Sequence, residues 1–225
     1  MKKVCSLFLL LTTLVFADVR AQDLDDGQIP FYAEPYYRYK PLKVNIGKYS
    51  DELRTTDTTA LLALADSIRS HIDSVTIETL YILSVRLFDL GKKDESFYWF
   101  HTAKTRARIF SELLDPKWIG AMGSVAFERK QLFVSFNQIV GVYINGYGFN
   151  DVEKGASIME KVKEEVKSIQ PYKDVYNTML FLPDSSIIPL KVKKEKELED
   201  AVVYYRTHKE EIKKKRIEAG IQDKY

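Results

Sequence analysis

The chain has 225 residues, with 34 Lys and Arg against 32 Asp and Glu, a formal net charge of +2, and 29% charged residues. So balanced a charge offers no basic excess for holding nucleic-acid phosphates, and nucleic acid is not expected as a partner. With a single cysteine, no disulfide can close within the chain.

Lys2 and Lys3 precede an almost wholly apolar run over residues 4–17, centred on Leu7-Phe8-Leu9-Leu10-Leu11. The run is shorter than the roughly 20 residues a membrane-spanning helix needs. Two small-residue cleavage sites follow, Val19-Arg20-Ala21 before Gln22 and Val15-Phe16-Ala17 before Asp18. The pattern predicts a cleavable secretory signal peptide over residues 1–21, with an uncleaved N-terminal anchor as the alternative. Cys5 lies ahead of the apolar core, so a lipoprotein reading fails. Cleavage after Ala21 would remove Lys2, Lys3, Arg20 and Asp18, taking the 34 basic and 32 acidic residues to 31 of each. It would also remove the only thiol, and no later stretch is apolar for long enough to span a membrane. An exported protein, periplasmic or extracellular in a Gram-negative bacterium, is expected.

Residues 22–56 differ in composition. Pro30, Pro35 and Pro41 punctuate Phe31, Tyr32, Tyr36, Tyr37 and Tyr39. Proline removes a donor and disfavours helix in the residue before it, so an extended arm is predicted. Its aromatic rings favour packing along the body of the protein, or against a partner.

From residue 57 to the end the pattern is helical. Asp57 is a candidate N-cap, and Leu61, Leu64, Ala65, Ile68 and Ile72 share one helical face. Asp73-Ser74 reads as a turn and cap. Ile77, Leu80, Tyr81, Ser84, Leu87 and Phe88 repeat the stripe up to Gly91, a natural C′ residue. A third helix carries Phe97, Phe100, Ala103, Ala107, Phe110 and Leu114 and stops at Asp115-Pro116. A fourth covers about 124–144 and is expected to end at the turn Asn145-Gly146-Tyr147-Gly148. Asn150, with Glu153 three residues on, predicts the cap of a fifth helix bearing Ile158, Met159, Val162, Val166 and Ile169. Residues 170–190 read as irregular. One long charged helix is expected over about 192–219, ending in Lys213-Lys214-Lys215-Arg216 to suit the helix dipole. No segment alternates like a half-buried strand, so the fold class is all-α, built of antiparallel helical hairpins.

Leu80-Tyr81-Ile82-Leu83-Ser84-Val85-Arg86-Leu87-Phe88-Asp89-Leu90-Gly91 resembles the first helix of a tetratricopeptide or Sel1-like repeat. Lys92-Lys93-Asp94-Glu95-Ser96-Phe97-Tyr98-Trp99-Phe100-His101-Thr102-Ala103 resembles its turn and second helix. Serine stands at Ser96 where those repeats place alanine, and no second copy follows. The likeness therefore implies one TPR-like hairpin and no solenoid, which needs several stacked units. Over about 77–169, Tyr98-Trp99-Phe100, Arg106, Arg108, Ile144-Asn145-Gly146-Tyr147-Gly148-Phe149 and Asp151 also resemble a pattern in uncharacterised bacterial secreted helical proteins, to which no activity is attached.

Catalytic, cofactor-binding and metal motifs are not found. His71, His101 and His208 fall on separate predicted helices without the pairing of a zinc site, and read as surface or boundary residues. Ser124 lacks the following glycine of a nucleophile elbow. The one constellation is Trp99, Arg106 and Arg108 with Asn145, Tyr147 and Asp151. Trp99 and Arg106 are seven residues apart, on one side of a helix. An arginine there could offer its fork to Asp151, or to carbonyls after Ile144, either locking helix pairs together or lining a binding groove. The expected function is interaction with a protein or peptide partner; an immunity or inhibitor-type protein and, further off, a hydrolase are the alternatives.

Overall fold

The computed structural model describes residues 49–117, 119 and 123–221. The predicted signal peptide and residues 22–48 of the arm lie outside them. Seven α-helices occur among the described residues: α1 Thr58–Ser70, α2 Ile77–Asp89, α3 Lys93–Leu113, α4 Val125–Gly148, α5 Val152–Val166, α6 Ile187–Thr207 and α7 Lys209–Glu218. No strand accompanies them, only an isolated antiparallel bridge between Leu114 and Phe181. The fold is all-α. None of these helices is long and apolar enough to cross a membrane.

Local chemistry sets several boundaries where the sequence places them. Asp57 Oδ1 accepts the Thr59 N–H at 2.8 Å and caps α1. Gly91, at φ +75°, lets the chain leave α2 while Lys92 N–H closes onto the Leu87 carbonyl at 2.8 Å. The cap of α2 is Thr76, not the Asp73-Ser74 pair, which sits in the 3₁₀ turn Ile72–Ser74. Likewise Asp151, one residue past the expected Asn150, caps α5. Pro189 falls within the first turn of α6, where its missing N–H leaves no intrahelical bond unmade. The helix therefore begins at Ile187, inside the stretch read as irregular, and the long charged helix breaks at His208 into α6 and α7.

α3 is the hub, packing against α2, α4, α5 and α6. Its sequence gives it apolar cover on most sides, leaving a polar face at Lys104, Arg108 and Glu112. Phe97, Trp99, Phe100, Ala103, Ile109 and Phe110 are all fully buried. Tyr81 of α2 stacks on Phe136 of α4 at 4.5 Å, closing the core on that side. Tyr49 and Leu53, at the end of the segment read as an arm, also enter the core, and Arg86 of α2 donates to the Leu53 and Thr55 carbonyls at 2.9 Å. The segment between α5 and α6 is pinned at several points. Tyr176 O–H donates to Glu78 at 2.6 Å, and Leu182 N–H donates to the Leu113 carbonyl at 2.8 Å.

Candidate functional site

α3 places Trp99, Thr102 and Arg106 on one face, at spacings of three and four. Trp99 is wholly buried, and Arg69 of α1 lies 5.3 Å from its ring centroid. Arg106 is 3% exposed and its Nη1 donates to Asp73 Oδ1 at 2.8 Å. The expected partner Asp151 is elsewhere, capping α5. Asp73 serves because the α1–α2 turn lies against this end of α3, where Gln170 N–H reaches the same carboxylate at 3.4 Å. Tyr172 O–H also donates to the Arg106 carbonyl. Arg106 thus ties three segments together from inside. Arg108, half-exposed, pairs with Glu197 of α6 at 2.9 Å.

His101 is buried, where a surface or boundary position is expected of it, and its Nε2 donates to Asn145 Oδ1 at 3.0 Å. Asn145 therefore faces the α3–α4 interior. Tyr147 O–H donates to Asp94 at 2.8 Å, and Lys154 Nζ reaches the other oxygen of Asp94 at 2.6 Å. Of the six candidate residues, only Tyr147 and Asp151 line a common opening, a cleft of about 100 Å³ that also holds Asp94 and Lys154.

That opening shares Asp94 and Ile158 with a polar cleft of about 290 Å³ lined by Arg69, Glu95, Tyr98, Lys161 and Glu165. Its charges are largely engaged: Arg69 pairs with Asp66 and Glu95, and Tyr98 O–H donates to Glu165. Burial, then the Glu165 carboxylate, pushes the Tyr98 hydroxyl well above the ordinary tyrosine range.

A third cleft, of about 410 Å³, has a different character. Leu113, Met179, Leu180, Phe181 and Ile187 line it over buried Tyr172. The Lys173–Asp184 ion pair belongs to its lining. The backbone bonds Asp115 N–H to Leu180 O and Leu182 N–H to Leu113 O hold the apolar segment against the end of α3, and Ile187 of α6 adds to the lining. Leu180 remains 49% exposed, and Ile188 and Val192, one turn apart on α6, are 63% and 65% exposed. Sequence reasoning passed over these residues. Their signal was the short apolar run Met179-Leu180-Phe181-Leu182, too brief for a helix and ended by Pro183.

Among the described residues, no group of three or more His, Cys, Asp or Glu side chains could hold a metal ion. The fold and these surfaces define an all-helical protein that carries an apolar cleft beside charged ones among the described residues. Among known proteins, the chain is similar to an uncharacterized protein of Haemophilus influenzae, 24% identical over 153 residues. That match covers 66% of this chain and 56% of the relative, so it spans little more than half the relative's length. No protein-family model and no solved structure matches the chain.

Proposed function

We propose that the protein is an exported helical interaction module that seats a bulky apolar side chain of a protein or peptide partner in the apolar cleft. The carrying observation is the cleft itself, about 410 Å³ of mostly apolar lining with Leu180 half-exposed beside it. Binding sites of this kind are concave and apolar with a few placed polar groups. Partner recognition concentrates on a few apolar or aromatic anchors set in such pockets. Lys173 and Asp184 supply one charge of each sign. Export rests on the signal-like N-terminus, and the tetratricopeptide likeness of residues 80–103 agrees with a peptide-binding role.

The carboxylates of the charged clefts are mostly engaged in ion pairs and hydrogen bonds. Asp94 pairs with Lys154, Glu95 with Arg69, and Glu165 Oε1 accepts from Tyr98, while Glu165 Oε2 is buried without a partner. Selection of phage-displayed random peptides on the purified protein tests the reading. Selected sequences should share one aromatic or leucine anchor, and Leu180→Asp should weaken their binding by at least about tenfold. Equal affinity for wild type and Leu180→Asp would place recognition elsewhere.

A further inference from the structure

We infer that the apolar cleft has an occupant within the chain, the aromatic segment 31–39; the inference rests on reading that cleft as a binding groove. The segment precedes the described residues. It carries Phe31, Tyr32, Tyr36, Tyr37 and Tyr39 within nine positions. Rings at that density favour a surface that removes them from water. Pro30, Pro35 and Pro41 bar the segment from adding a helix to the bundle, so it requires a groove that accepts extended chain.

The three clefts described above differ in what they could accept. Two are lined by charged side chains already in partnership, Asp94 with Lys154, Arg69 with Glu95, and Glu165 with Tyr98. The third is apolar. Its lining also includes one cation and one anion, Lys173 and Asp184, and the segment interleaves its rings with Glu34 and Arg38. Lys173 and Asp184 pair with each other, so it is the apolar lining that favours this cleft, with Glu34 and Arg38 adding only rim contacts to that pair.

The chain is long enough. It enters the described structure at buried Tyr49, and the Leu53 carbonyl is held by Arg86 near the end of α2. From Arg86 back to Ile77, where Tyr176 O–H accepts the backbone N–H, is roughly 13 Å of helix. Tyr176 and Phe181 then both pack on Phe110, at 4.8 and 5.5 Å. With the Tyr49–Leu53 leg and the Arg86 and Tyr176 side chains included, the path is on the order of 40 Å, whereas the chain extends to about 43 Å from Tyr36 to Tyr49 and about 59 Å from Phe31 to Tyr49, so the Phe31–Tyr36 end of the segment reaches the cleft.

The methionine methyl groups report on this in the full chain. Met179 lines the cleft, and Met159 is buried beneath α5 as an internal reference. In methyl-labelled protein, replacing all five rings (Phe31→Ser, Tyr32→Ser, Tyr36→Ser, Tyr37→Ser, Tyr39→Ser) should move the Met179 resonance and leave that of Met159 in place. Trypsin gives a second reading that needs no change in the arm: cleavage after Arg38 should be at least about tenfold faster in Leu180→Asp than in wild type. If the ring substitutions leave Met179 unmoved and the two trypsin rates agree, the arm is not the occupant. A selected peptide that still shifts Met179 would then preserve the groove, and a peptide that does not would sink both. Protection of Arg38 that rises with protein concentration would assign the arm to a second copy and overturn the intrachain inference.

Discussion

His101 shows how a single core residue couples the fold to pH. Its ring packs against Phe97 and Phe100, with centroids 4.4 and 5.3 Å away. Burial, then the nearby charge of Lys104, pushes its pKa down to about 3 against the opposing hydrogen bond with Asn145. The free value is 6.5, so between these limits the unfolded chain holds a proton that the folded chain refuses. The contribution is therefore complete above pH 6.5 and is lost as pH falls towards 3. From pH 7 to pH 5 the loss is about 2 kcal/mol. Glu78 works in the other sense, because burial raises its carboxyl pKa despite Arg129 and Tyr176. Comparing two chains that share Glu78 isolates the imidazole. His101→Gln, whose amide can still donate to Asn145, should lose less Tm than wild type between pH 7 and pH 5. Equal losses would show that the ring is not held neutral. The sequence placed His101 on a helix but gave no sign of its burial, because the stripe written into α3 covers one face and the packing covers most of the others, leaving the Lys104–Arg108–Glu112 side open. Spacing put Trp99 and Arg106 together correctly. It could not name Asp73, which is close only because the α1–α2 turn packs there.

Helix α4 carries the clearest disagreement between local signal and tertiary demand. Asn145-Gly146-Tyr147-Gly148 has the composition of a turn, yet α4 continues through it to Gly148. The glycine at 148 is used for close approach. A Cβ there would stand 2.1 Å from the Phe97 ring, and a Cβ at Gly155 would stand 2.5 Å from the Gly148 carbonyl oxygen. Alanine in a helix interior normally gains about 1 kcal/mol over glycine. Here overpacking, about 1–3 kcal/mol, exceeds that gain. Gly148→Ala meets a fully buried ring, and Gly155→Ala meets backbone, so both should lose stability in urea unfolding. Gly141→Ala, whose nearest contact would be 3.2 Å from Phe100, should stay near wild type. A stabilised Gly148→Ala would mean that α4 and α3 lie further apart than described. Caps and stops at Asp57, Gly91 and Pro116 were readable because their causes lie within a few residues. The role of Gly148 was not, because its cause lies on another helix. The apolar cleft was hidden for the same reason: Met179-Leu180-Phe181-Leu182 becomes a wall only when it meets the end of α3.

Across the molecule, burial is graded outward from α3. α6 buries only Ile187, Lys194 and Val202 fully, and α7 buries only Arg216. Apolar and charged contacts hold α6 along its length: in its second half Val202 is buried, Leu198 packs on the core and Tyr205 meets Phe149 at 4.7 Å. Near its start, Lys194 is 2% exposed and bonds Glu112 of α3 at 2.6 Å, beside the apolar cover of Ile187. Near its end, Arg206 reaches Glu153 and Glu160 of α5 across exposed surface, where salt screens the attraction. Hydrogen exchange should therefore rank α3 slowest, then α6, then α7. Within α6 the first half should outlast the second. Raising salt from roughly 0.05 to 0.5 M should speed exchange in the second half of α6 and in α7, and leave α3 nearly unchanged. If both halves of α6 respond alike, the buried Lys194–Glu112 contact is not what fixes the helix. The distinction bears on the cleft, because Ile187 stands on the half that Lys194 holds. A groove whose α6 side stays in place while the far end of that helix loosens presents a preformed wall, so the arm, or a partner segment that displaces it, orders against it with little rearrangement of the helices.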